Sequence, residues 1–309
     1  MKIYRHPKYY YELESVTRFI DVEYVNSEKE CDYVAVASSH DDPVFEGITK
    51  PILYSYLREH PYEHDQYLRT QFNSLMDTQD IKIFSIGSFE KIAPNRENII
   101  IDNFELDCYH RLFVNKECET VQKNFGVTRL LFLGGKSDKG NRKPLLDALL
   151  KNKDVECRLA WTMFGVDDPL DEIAVEDNHY LGYPYDHMLY QMTNFSIVSE
   201  THFDQNQEFH PTEKTYRAIA NRHPFAVLST PFFLDHLRKK GYKTFSNIVD
   251  ENYDMIKNHD NRLTKFVQSI SNLIAGNIDY KKFEETCDHN VNTLINNAKK
   301  TKSIIEQAL

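Results

Sequence analysis

The chain has 309 residues and a formal net charge of −10, from 37 basic and 47 acidic side chains. That length suits two domains better than one small core, and acidity of this size weighs against broad nucleic-acid binding, which needs basic surface against phosphate. No apolar run approaches the roughly 20 residues that span a bilayer.

The opening, Met1-Lys2-Ile3-Tyr4-Arg5-His6, lacks the apolar stretch of a signal peptide. Five scattered cysteines (Cys31, Cys108, Cys118, Cys157, Cys287) form no Cys-x-x-Cys pair. They indicate neither a zinc site nor a disulfide framework, and a reducing cytoplasm is the expected location.

In chain order, Cys31 to Ser38 reads as a buried strand, followed by a polar loop holding His40, Asp41, Asp42 and Pro43. Thr49 to Glu59 reads as a helix with Pro51 in its first turn. Ile81 to Ile86 and Ile99 to Ile101 are strand candidates, and Asp107 to Asn115 a helix candidate. A break is expected near Gln122 to Gly126. Thr128 to Leu133 then reads as a buried strand, and Gly134 to Gly140 as a polar, glycine-bearing loop. Asn141-Arg142 opens a helix with Pro144 in its first turn and Leu145, Leu146, Leu149 and Leu150 as its apolar stripe. Val155 to Trp161 is a further strand and Tyr185 to Met192 a short helix.

Phe195 to Asp254 predicts strand, loop, helix, strand, helix, strand, the pattern of a parallel α/β unit. Its first strand ends in Glu200, and Thr212-Glu213-Lys214 opens its first helix. Read plainly, Thr212 is an N-cap, Glu213 complements the helix dipole and Lys214 is solvated. Ligands of open α/β sheets bind beyond the carboxyl ends of the strands. Glu200, Glu213 and Lys214 are therefore expected to face one crevice, where an anion meets the helix N–H groups and the Lys214 ammonium. Gly135, Asn141 and Arg142 form a second, weaker phosphate-loop candidate. Its glycine spacing fits neither dinucleotide nor Walker patterns, but Arg142 at a helix start opposes the dipole unless an anion is present. Asp250, Glu251 and Asp254 read as a solvated loop and helix cap. Residues from Asp260 to the end read as two amphipathic helices.

The run Thr212-Glu213-Lys214-x-x-x-Ala218-Ile219-Ala220-x-x-x-Pro224-Phe225 resembles the nucleotide-sugar site of GT-B glycosyltransferases, in particular the α1,3-fucosyltransferase family. Arg129 to Arg262 also resembles glycosyltransferases assigned to bacteriophages and related viruses. The shared features are Asn141-Arg142, Val198-Ser199-Glu200, Thr212-Glu213-Lys214, Pro224-Phe225, Leu237-Arg238-Lys239-Lys240-Gly241 and Asp250-Glu251-Asn252-Tyr253-Asp254. Asn221-Arg222-His223 departs from the small residue and Gly that the fucosyltransferases place before their Val-Pro strand. The resemblance covers the second half of the chain.

It implies two Rossmann-like α/β domains facing a cleft, with C-terminal helices. The expected division is 1–122 for the acceptor side, 123–275 for the nucleotide sugar and 276–309 for a helical segment. It implies a hexosyl- or pentosyltransferase, with Lys214 and Arg142 neutralising the donor pyrophosphate and Glu213 contacting the donor. Gly135, Asn141, Glu200 and Thr212 complete the expected donor site. The sequence holds no Asp-x-Asp, so no metal or other cofactor is expected, and fixed cations and helix starts must meet the leaving group. The acceptor is a glycan or a modified DNA base, and the base that deprotonates it is sought among His40, Asp41 and Asp42. The alternative is an inactive scaffold of the same fold that binds or builds. The sequence is silent on the oligomer.

Overall fold

A computed structural model describes residues 1–5, 21–38, 48–56, 81–85, 99–101, 103–109, 113, 129–136, 141–156, 158–164, 190–204, 209–275 and 281–308. The chain is mixed α/β, with two parallel sheets and long C-terminal helices. It divides into two compact units: Met1–His110 with Asn297–Leu309, and Arg111–Asn296. Residues 122, 123 and 276, at the expected boundaries, lie outside the described residues.

Among the described residues, the first unit holds six strands: β1 (Lys2–Arg5), β2 (Glu23–Val25), β3 (Tyr33–Ser38), β4 (Ile52–Tyr56), β5 (Ile81–Ser85) and β6 (Ile99–Ile101). They pair in the order β2-β1-β3-β4-β5-β6, and every pairing is parallel. Parallel strands covered on both faces read as unbroken apolar runs, as in β3 and β6. Ile3, Ala35 and Leu53 pack with Leu106 of α1 (Asn103–Tyr109) and with Ala298 and Ile305 of the final helix. Ala298 and Ile305 are seven residues apart, two helical turns, and so share one face.

Two expectations change here. Thr49 to Glu59 was expected to be helical, yet Ile52–Tyr56 is a strand lying between β3 and β5. Its aromatic and β-branched residues suit a pleated surface, and Pro51 precedes the ladder, where its missing N–H costs nothing. The helix expected at Asp107 to Asn115 begins earlier, at Asn103.

The second unit holds β7 (Leu130–Lys136), β8 (Leu159–Phe164), β9 (Phe195–Ser199) and β10 (Phe225–Leu228), ordered β10-β9-β7-β8 and all parallel. Its helices are α2 (Arg142–Leu150), the single turn α3 (Lys153–Glu156), α4 (Glu213–Ala220), α5 (Phe233–Lys239), α6 (His259–Ala275) and α7 (Lys281–Ala308), whose last residues belong to the first unit. All five residues of β9 and all four of β10 are buried. α2 buries Leu145, Leu146 and Leu149, and α6 buries Phe266, Ile270, Leu273 and Ile274 at helical spacing.

The strand order carries a functional consequence. The chain leaves β7 through α2 toward β8 on one side, and leaves β9 through α4 toward β10 on the other. Right-handed crossovers place those helices on opposite faces of the sheet. The carboxyl ends of β7 and β9 therefore flank a topological switch point, the place where open α/β sheets bind their ligands.

Several boundaries differ from expectation. Gly134–Lys136 is not loop but strand: β7 continues with a register shift between Leu133 and Gly135, and Gly135 pairs with Met163. Glycine is common at such irregularities. The expected strand at Val155 starts at Leu159, after the turn of α3. Among the described residues, no strand follows α5. Asn290 of α7 brackets Lys243 at both its N–H (2.7 Å) and its C=O (2.9 Å), and Glu251 accepts the Phe245 N–H at 2.9 Å. These bonds occupy backbone groups that a ladder would use. The expected helix at Tyr185 to Met192 is described only at its end, where Tyr190–Met192 is helical. Among the described residues, no helix is long and apolar enough to cross a membrane.

Candidate functional site

The switch point of the second unit is lined by helix starts and strand ends that chain contacts tie together. α4 is built around an N-cap. Thr212 is extended at φ −100° and its hydroxyl accepts the Lys214 N–H. That hydroxyl in turn donates to Glu200 Oε2 at 2.5 Å. Glu200 Oε1 accepts the Thr212 N–H at 3.0 Å and the Thr215 hydroxyl at 2.5 Å. One buried carboxylate at the end of β9 thus fixes the first turn of α4, with three bonds satisfying most of its acceptor capacity. Glu200 holds the helix start, and through it the residues that follow.

Lys214 is not solvated but 9% exposed. Its ammonium donates to Thr212 Oγ1 at 3.1 Å and to Glu213 Oε1 at 3.0 Å, leaving one of its three N–H groups over. Burial works to raise the Glu213 carboxyl, but the Lys214 and Arg217 charges outweigh it and hold it at about 2. The pair sits on the positive end of α4, where both the ionised acid and an incoming anion are favoured.

Arg142 opens α2 and is buried, donating to the Thr201 hydroxyl at 2.8 Å. Thr201 follows Glu200 directly, so Arg142 and Lys214 are joined through β9 and its capping network. Asn141, before Arg142, is 2% exposed and gives its helix no side-chain cap. Its Oδ1 instead accepts from His259 Nε2 at the start of α6. The His259 ring packs at a tilt of 49° against Phe203, with centroids 4.6 Å apart, and its Nδ1 lies 3.2 Å from Asp260 Oδ1.

Two groups at this edge gave no signal in the sequence. Arg262 is 1% exposed and donates to the carbonyls of Ile256 (2.7 Å), Lys257 and Phe203. It ties the start of α6 to the loop after β9. His202 and His210 are both buried and lie ring to ring at 4.9 Å, on either side of residues 205–208. Both contacts join positions distant or looped out in the chain, so no local pattern marks them.

Of the expected site residues, Asn141, Arg142, Glu200, Thr212, Glu213 and Lys214 lie at the carboxyl edge of this sheet or on the helices leaving it. Gly135 lies in β7 itself. His40, Asp41 and Asp42 lie outside the described residues.

Asp254 is not solvated. Phe232 stands at the N-cap of α5 in the left-handed region (φ 64°) and its side chain makes no cap bond. Asp254 supplies the missing groups: its carbonyl accepts the Phe232 N–H at 2.7 Å and its Oδ2 the Leu234 N–H at 3.1 Å. Burial pushes its carboxyl up to about 6, against the Leu234 N–H and the Arg238 charge. A raised folded-state pKa stabilises below the unfolded value and loses that stability as pH rises through the folded value. Asp254→Asn keeps an acceptor for Leu234 and removes the titration. Its stability relative to wild type should therefore grow by about 2 kcal/mol from pH 4 to pH 8. Urea melts across that range check this, and a difference independent of pH contradicts it.

The second unit is thus a doubly wound parallel α/β unit with two N-terminal helix ends and two cationic side chains at its switch point. No protein-family model matches the chain, and no curated protein matches it significantly. Among solved structures, the chain is similar to a crystal structure of α1,3-fucosyltransferase with GDP-fucose, at 10% identity and a TM-score of 0.48, covering 100% of this chain and 90% of that one. It is similar to an α1,3-fucosyltransferase with GDP at 11% identity and a TM-score of 0.49, covering 100% and 89%. A third α1,3-fucosyltransferase structure matches at 12% identity and a TM-score of 0.39, covering 96% and 90%.

Proposed function

We propose that the second unit binds the diphosphate of a nucleotide sugar, and that the protein is a metal-independent glycosyltransferase. The carrying observation is the pairing of two helix starts with Arg142 and Lys214 at one switch point. Each helix start favours an anion by about 0.3–1 kcal/mol, and each charged donor adds about 1.5–3 kcal/mol when it meets one. The resemblance of Thr212-Glu213-Lys214 to a nucleotide-sugar site points the same way.

The chemistry follows from where charge develops. The acceptor hydroxyl oxygen attacks the anomeric carbon, and the bond from that carbon to the phosphate oxygen breaks. Its electron pair stays on the nucleoside diphosphate, which gains negative charge. Lys214, Arg142 and the helix N–H groups stabilise that charge without moving. The acceptor proton passes to a general base, proposed among His40, Asp41 and Asp42 after β3. The acceptor is a glycan or a modified DNA base.

The test is release of nucleoside diphosphate from UDP-, GDP- and dTDP-linked sugars in EDTA, with water as the default acceptor and CMP-linked sugar as a monophosphate control. One diphosphate donor should be consumed at a rate EDTA leaves unchanged. Loss of turnover in EDTA with rescue by a divalent cation contradicts metal independence. Binding of a donor with no turnover under any acceptor contradicts the enzyme reading and leaves a binding scaffold.

A further inference from the structure

We infer that His259 is a positioning residue for a phosphate site at the start of α2: by engaging the Asn141 carbonyl, it leaves the Asn141 amide N–H groups and the first backbone N–H groups of the helix as donors. The inference rests on the diphosphate reading above and adds the residue that sets these donors.

An N-cap asparagine ordinarily turns its Oδ1 onto the N–H of the second or third helical residue. Asn141 makes no such bond. The third residue is Pro144, which has no N–H, and the Asn141 Oδ1 is taken by His259 Nε2 from 118 residues further along the chain. Both ring nitrogens of His259 face oxygen, Asn141 Oδ1 and Asp260 Oδ1. The Asn141 Oδ1 can only accept, so Nε2 is the donor in that contact. The ring is seated on Phe203.

The Asn141 amide must then point its nitrogen the other way, since the two ends of the group face opposite directions. That nitrogen is buried, belongs to a residue 2% exposed, and has no hydrogen-bond partner among the described residues. Buried donors are nearly always paired in folded proteins. Across the switch point, at the end of β9, the Ser199 hydroxyl is likewise buried and without a partner among the described residues.

The charges agree. The first turn of α2 carries no acid; Arg142 stands there against the helix dipole, while the Lys143 ammonium is paired with Asp147 at 3.0 Å. A helix start with cationic residues, an uncapped first turn and an unused amide donor fits a tetrahedral oxyanion. In the diphosphate reading that oxyanion is one phosphate group of the nucleotide.

Calorimetric titration of the full chain with inorganic pyrophosphate tests this, using wild type, His259→Ala, His259→Gln, Asn141→Asp and Lys214→Ala. His259→Ala frees the Asn141 carbonyl to cap α2 and should weaken binding about tenfold, the scale of one charge-assisted bond. His259→Gln can donate to the same carbonyl and should return affinity to within about threefold of wild type. Asn141→Asp sets a carboxylate against the anion and should cost at least about thirtyfold. The Asn141 side-chain amide resonances should shift with pyrophosphate in wild type and not in His259→Ala. If the His259 and Asn141 variants bind like wild type while Lys214→Ala does not, this inference falls and the diphosphate reading stands. Equal weakening by Ala and Gln also overturns it, because a packing role predicts no rescue. Wild type that binds neither pyrophosphate nor a nucleoside diphosphate overturns both.

Discussion

Glu200→Ala is expected to lower the unfolding free energy by about 3–5 kcal/mol, the scale for breaking a buried charged network. The carboxylate is 1% exposed and receives the Thr212 N–H and the Thr212 and Thr215 hydroxyls. Removing it leaves three buried donors facing a cavity, each costing about 1–3 kcal/mol if nothing replaces the acceptor. Partial relaxation brings the sum down. Glu200→Gln keeps one oxygen and should fall between wild type and Ala. Urea denaturation at neutral pH measures this. A Glu200→Ala variant within about 0.5 kcal/mol of wild type, the scale of an ordinary surface change, removes Glu200 from the role of clamp.

Lys214→Ala is expected to weaken binding and also to cost some stability, because the half-buried Glu213 carboxylate loses its nearest cation. Its ammonium is paired with Glu213 Oε1 and Thr212 Oγ1, and the α4 cap keeps its own bonds from the Lys214 N–H to Thr212 Oγ1 and from Thr212 to Glu200 in the variant. Loss of one charge-assisted bond to a phosphate is worth about 2–3 kcal/mol, or roughly a 30- to 150-fold loss of affinity. Glu213 adds to this in the variant, because the acid no longer faces its nearest cation and meets the ligand unscreened. Lys214→Arg restores charge but not the compact ammonium geometry, and should recover only part of the affinity.

The parts of the second unit that a local pattern describes were legible in the sequence. Leu130 to Leu133, Phe195 to Ser199 and Phe225 to Leu228 are apolar runs because parallel strands buried on both faces need them. Thr212 before Glu213 is an N-cap for chemical reasons that hold in any chain. The stripe Phe266, Ile270, Leu273 and Ile274 marks α6 by its period. What escaped depends on partners far away in sequence. Ile52–Tyr56 is a strand because β3 and β5 lie beside it, and its own residues fit either period. Gly134–Lys136 stays in the sheet because β8 runs on to Phe164 to pair with it. The segment after α5 forms no strand because Asn290 and Glu251 take its backbone groups. Asp254 looked like a loop acid because burial is a property of the packed unit. The contact between Asn141 and His259 spans 118 residues, and no spacing rule reaches that far.

The central claim is that the switch point of the second unit holds a nucleoside diphosphate. Titration of the protein in EDTA with GDP, UDP, CDP and dTDP in turn measures it most directly. Saturable one-to-one binding of at least one of the four is expected, weakened roughly 30- to 150-fold in a folded Lys214→Ala variant. Four flat titrations, or a bound nucleotide whose affinity ignores Lys214, contradict it.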